Sequence, residues 1–189
     1  MTSILARLLF VATLSAVFGT TVLLAGGETE MERHEMSFID TSFDLLPPAG
    51  WAIERRAGGA VLTGPTAEGI YARIIVRYVS ADHTLYGTPE AYMQRHTMPS
   101  SIPLKGWKNG EIERVEAAGR KALLLERDTT EYTAPHSIAP KEVAMREEHL
   151  AVTAAKGFFL LVYTAPRSID EAQRPVFRRL VENGFRPKL

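Results

Sequence analysis

From residue 70 to residue 79 the chain alternates, with Ile70, Ala72, Ile74, Val76 and Tyr78 on one parity and Tyr71, Arg73, Ile75, Arg77 and Val79 on the other. Successive side chains of a strand point to opposite faces, so this pattern predicts a strand with one apolar face and one face mixing aromatic, aliphatic and arginine side chains. Residues 158–163 are apolar on both parities, as expected of a strand covered on both sides and central in its sheet. Two more long strands are predicted at 120–133 and 142–154, joined by a loop at 134–140. In the second of them the apolar positions change parity, from Val143 and Met145 to Leu150, Val152 and Ala154. One extra residue flips the phase of a strand, so a bulge is expected near 146–148. Short strands at 43–46, 51–53 and 60–63, punctuated by Pro47, Pro48 and Gly50 and by Gly58-Gly59, read as an antiparallel meander. Asn109-Gly110 predicts a sharp turn into a weak strand at 111–115, and Ala118-Gly119 a turn into the next.

Two helices interrupt this pattern. Thr88 as N-cap, Pro89 at the first helical position and Glu90 at the positive end predict a helix from 89 to about 98, ended by Pro99 and Pro103. Ser168 and Glu171 form a capping box for a second helix over 169–183, with Gly184 as its stop and Pro175 predicting a kink or a restart.

The start of the chain changes the setting. Arg7 followed by an apolar run from 8 to 25, then Ala25-Gly26-Gly27, has the layout of a secretion signal cleaved after Gly27. The alternative is a membrane anchor, since 8–25 sits at the lower edge of a spanning length. Residues 28–37 read as a polar lead, and 38–187 as one domain. The 162 residues left after cleavage suffice for a core without disulfides, and the sequence holds no cysteine. The chain carries 22 basic and 22 acidic residues, a balance without the basic excess that nucleic acid requires.

Candidate chemistry is sparse. Tyr71, Arg73 and Arg77 form a stripe that can clamp a carboxylate or phosphate by bidentate hydrogen bonds and stacking. The two arginines are about 13 Å apart by the rise of a strand, which suits an extended or two-headed anion. The competing reading pairs them with acids of a neighbouring strand or a covering helix. Glu147 and His149 share a strand face and can hold a metal ion with His136 from the preceding loop, against the plainer reading of a solvated face. Glu126, Arg127 and Asp128 opposite Arg146, Glu147 and Glu148 predict cross-strand ion pairs on an exposed face; an acid/base carboxylate pair there would need a cleft. Trp51 and Trp107 are expected as core caps over the sheet ends. There is no GxSxG nucleophile motif and no phosphate-cradling glycine loop.

Four stretches carry a resemblance: 43–51 with its double proline and Trp51, the turn at 119–122, the apolar strand 157–166, and the ending 175–185. Together they resemble the PsbP-like superfamily over roughly 38–187. The resemblance implies an α/β (α+β) domain, an antiparallel sheet sandwiched between helices. That superfamily includes photosystem II extrinsic subunits, a Ran-binding nuclear-transport factor, bacterial periplasmic proteins and chaperones of type VI secretion effectors. Its members act by binding in support of a larger assembly, and no functional residue transfers from it. The expectation is an exported, non-enzymatic binding or accessory protein of the bacterial cell envelope, periplasmic or secreted, without a cofactor. Its partner would be a protein or a small anionic ligand, not nucleic acid, with membrane contact only if the leading segment is retained. Two alternatives stay open: a membrane-tethered chaperone for an exported partner, and a metal-dependent hydrolase using His136, Glu147 and His149.

Overall fold

The computed structural model describes residues 42–98, 105–133 and 139–189. The predicted signal, the polar lead and His136 lie outside the described residues. In chain order the elements are β1 (Phe43–Leu45), β2 (Ala52–Arg56), β3 (Gly59–Ala67), β4 (Ile70–Ser80), α1 (Pro89–Thr97), β5 (Lys108–Ala117), β6 (Arg120–Thr133), β7 (Lys141–Ala154), β8 (Gly157–Pro166), α2 (Arg167–Arg179), a π-helical turn (Leu180–Gly184) and β9 (Phe185–Pro187). Strands β2 to β8 form one antiparallel sheet in the order β2-β3-β4-β8-β7-β6-β5, and β1 pairs with β9 beside it. The doubly apolar strand β8 is central, as its pattern requires.

Register divides the side chains between two faces. On one, Ala72, Ile74 and Val76 of β4 line up with Leu161 and Tyr163 of β8 and Leu150 and Val152 of β7, under Phe177, Leu180 and Val181 of the C-terminal helical segment. This is the α2 face, and it holds the larger core. On the other, Val79, Phe158, Leu160, Ala151, Leu123 and Leu125 pack beneath Tyr92 and Met93 of α1. The described residues are thus mostly antiparallel sheet with two helices, α1 and α2. On the α1 face the cover is partial, because Tyr71 and Ile75 of β4 remain 48% and 38% exposed.

Four local expectations need correction. Strand β7 pairs without a register shift with both β6 and β8, so the bulge expected near 146–148 is absent. Its parity change arises because ion-paired Arg146 and Glu148 occupy positions under α2 where apolar residues were looked for. The irregularity lies instead in β5, between Asn109 and Ile112, where three residues span two of β6. Asn109-Gly110 therefore forms a bulge inside a longer strand rather than a turn, and with the charges of this edge it discourages further strand pairing. Helix α2 starts at Arg167, ahead of the predicted cap, and the Ser168 hydroxyl donates to Glu68 Oε1 (2.9 Å) across the sheet end instead of capping. The helix runs unbroken through Pro175 and ends in the π-helical turn. The remaining turn is as read: Ala118 and Gly119 both take positive φ (50° and 70°), the geometry of a two-residue hairpin that matches strand twist.

Candidate functional site on the α1 face

Thr88 caps α1 by accepting from the Ala91 amide, and one helical turn separates Tyr92 from His96, so both lie along the side turned to the sheet. Beneath them, β7 presents Glu147 and His149 and β6 presents Arg127 and Thr129, all on one parity. The result is a connected polar cluster. The Tyr92 hydroxyl lies 2.7 Å from His149 Nδ1, and His149 Nε2 lies 3.1 Å from Glu147 Oε2. A carboxylate only accepts, so Nε2 carries the proton and Nδ1 accepts from Tyr92. Thr129 donates to the other Glu147 oxygen (3.0 Å), and Arg127 stands 3.6 Å from Glu147 with its guanidinium 4.7 Å from the Trp107 ring centre. His96 Nδ1 donates to the Tyr92 carbonyl (2.8 Å), and its ring centre is 5.1 Å from that of His149.

These positions differ from a solvated strand face. His149 is 5% exposed, and both of its ring nitrogens are engaged. A metal ion at Glu147 and His149 would have to displace Tyr92 or separate the two. Among the described residues no three histidine, aspartate or glutamate side chains are grouped to hold a metal ion. Burial opposes ionisation of Glu147, yet the His149 hydrogen bond, the Arg127 charge and the Thr129 hydroxyl hold its carboxyl below the usual range. Burial pushes the Tyr92 hydroxyl upward, which keeps it a neutral donor. The cluster fastens α1 to the sheet. Tyr92 and His96 were missed in the sequence, although their four-residue spacing was the available signal.

Beside the cluster, β4 carries the stripe. Tyr71, Arg73, Ile75 and Arg77 share the α1 face with Thr63, Val61 and Gly59 of β3 and Thr164, Val162 and Leu160 of β8. Neither Arg73 nor Arg77 makes an ion pair among the described residues, and the Arg77 Nε is buried without a hydrogen-bond partner. The pairing with acids that a structural role would supply is not there. It is found on the opposite face, where Arg146 meets Glu126 and Asp128, Arg167 meets Asp128, Arg174 meets Asp170 and Glu148, and Arg178 meets Glu148 and Glu126. The predicted cross-strand pairs thus exist, Arg146 with Glu126 and Asp128 beneath α2 and Arg127 with Glu147 beneath α1, rather than on an exposed face. Trp51 does pack against the larger core, whereas Trp107 is 46% exposed over Arg127 and caps nothing.

No protein-family model matches the chain, and no curated protein matches it. Among solved structures, cyanobacterial PsbP (CyanoP) from Synechocystis is similar with a TM-score of 0.50 and 12% identity, over 87% of this chain and 96% of that one. The fold is PsbP-like. Two further similar structures are LpqN, involved in cell envelope biogenesis of Mycobacterium tuberculosis (TM-score 0.47, 13% identity, 78% of this chain and 83% of that one), and PA94 from Pseudomonas aeruginosa, a putative regulator (0.47, 9%, 71% and 96%). At such identities the likeness concerns the fold. The chemistry of the site rests on its own residues.

A groove of about 790 Å³ lies elsewhere in this PsbP-like fold, on the α2 face between the β5–β6 hairpin and the C-terminal helical segment. Its floor is core, including Leu124, Phe177 and Val181, and Arg120, Arg178 and Arg186 stand around it with Glu116 and Glu182, so both signs of charge line it. Arg73 and Arg77, which make no ion pair among the described residues, are on the α1 face. Burial, reinforced by neighbouring His149, holds His96 below the ordinary histidine value. The folded state therefore binds a proton there more weakly than the unfolded chain, and the stability this confers is present above about pH 6.5 and lost as pH falls below it. The melting temperature should drop between pH 6.5 and 5.5 in the wild type and drop less in His96→Phe; equal drops would remove His96 from the account.

Proposed function

We propose that the chain is an exported, non-enzymatic binding or accessory protein of the bacterial cell envelope that holds an anionic partner on the α1 face through Tyr71, Arg73 and Arg77. The observation that carries this reading is the charge mismatch between the faces. Four arginines at α2 are each met by acids, while Arg73 and Arg77 stand beside a half-open sheet surface with none. Arginine is suited to such a place, since its planar fork meets a carboxylate or phosphate with two parallel hydrogen bonds. The Tyr92, His149 and Glu147 cluster gives the surface a rigid wall rather than a reactive centre, because its polar atoms are spent on one another. Export rests on the layout of residues 1–27, and no helix among the described residues is long and apolar enough to cross a membrane.

The test compares wild type with the Arg73→Gln/Arg77→Gln double variant in pull-downs from envelope extract, at low and at raised salt. The double variant should lose the salt-sensitive partner while its melting temperature stays within about 1 °C, since neither arginine has an ion pair among the described residues to lose. Undiminished capture would end the binding reading, and a drop of several degrees would make the arginines structural.

A further inference from the structure

The register of β3, β4 and β8 sorts the stripe into three rows. Thr63, Arg73 and Thr164 lie side by side, then Val61, Ile75 and Val162, then Gly59, Arg77 and Leu160. The first row is a guanidinium flanked by two hydroxyls, each of which can donate to an anion. Neither hydroxyl has a side-chain hydrogen bond among the described residues. The middle row is aliphatic throughout, and its Ile75 is 38% exposed. In the third row a Cβ on Gly59 would fall 2.9 Å from the Arg77 Cβ and 2.2 Å from the Val76 carbonyl oxygen, so only glycine fits, and it leaves the flank of Arg77 open. The Arg77 Nε is buried and unpartnered beside that opening.

From this order we infer that the stripe is built for a linear ligand with two phosphoryl heads separated by an apolar spacer, one head on Arg73 with Thr63 and Thr164, the other on Arg77. The inference rests on the anion-binding reading above and specifies its ligand. The span from Arg73 to Arg77 is about 13 Å by the strand rise, too long for one phosphate to bridge. The row between offers no polar partner, so a spacer bearing its own charges or hydroxyls would be desolvated there without compensation. Two heads on one spacer bind cooperatively when the spacer length matches the span, because the second contact forms at high effective concentration.

A set of alkane-α,ω-bisphosphonates serves as a ruler, with alkylphosphonates of the same length as single-headed controls, titrated calorimetrically into the purified protein below micelle-forming concentrations. The affinity should peak for a spacer of about nine methylenes and exceed that of the single-headed control by about tenfold or more. Arg73→Gln and Arg77→Gln should each reduce the bisphosphonate to the level of the control. Single- and double-headed ligands binding alike, with both sensitive to the arginines, would overturn the two-headed inference and leave the anion-binding reading standing. Absence of binding by every phosphonate would overturn both.

Discussion

Truncating Arg174 and Arg178 together to alanine is expected to destabilise the protein by about 3–5 kcal/mol, the cost of leaving a buried carboxylate without its partners. The carboxylate is Glu148, 0% exposed on β7. Arg178 reaches its Oε2 at 2.7 Å and Arg174 its Oε1 at 3.4 Å. Both contacts are ion pairs without hydrogen-bond geometry, so charge rather than hydrogen bonding holds Glu148. Either arginine alone still offers a counter-charge, so each single variant should lose much less than the pair. Adding Glu148→Met to the double variant should recover most of the loss, since an apolar side chain of similar volume removes the unpaired charge. Urea denaturation of the wild type and these four variants reads this directly; a loss undiminished by Glu148→Met would show that the arginines act by packing against the sheet instead.

Phe159→Ala should cost about 3–5 kcal/mol, the range for emptying a large aromatic from a core. Phe159 is 0% exposed near the start of the central strand β8, with its ring centre 6.1 Å from Phe43, 5.4 Å from Phe185 and 5.4 Å from Tyr78. Phe43 and Phe185 belong to the small β1–β9 pair, so this side chain also joins that pair to the main sheet. Amide hydrogen exchange of the variant should rise first at Phe43–Leu45 and Phe185–Pro187, ahead of β7 and β8. Uniform loss of protection across the sheet would contradict that role.

The parts of this fold that were legible in the sequence are those written in local periodicity. Strand β4 declared itself by alternation, β8 by its two apolar parities, and α1 by Thr88 and Pro89. What could not be read depended on which elements become neighbours. Glu148 interrupts the apolar parity of β7, and a bulge was one way to explain that. The actual explanation is a helix that arrives some 25 residues later with Arg174 and Arg178 on its inner side. His149 illustrates the same limit, because nothing in its own strand shows that Tyr92 will cover it. The stripe lies between these cases. Its three side chains were placed on one face by alternation alone, but the flanking Thr63, Thr164 and Gly59 came from pairing with β3 and β8.

The central claim, that the half-open surface of the α1 face is where an anion is held, is tested most directly by amide NMR of the isotopically labelled protein titrated with a two-headed alkyl phosphonate. The account predicts saturable shifts confined to β4 around Arg73 and Arg77 and to their register partners near Val61 and Val162, absent in the Arg73→Gln/Arg77→Gln variant. Shifts centred instead on the groove by Phe177 and Val181, or shifts that persist in the variant, would contradict it.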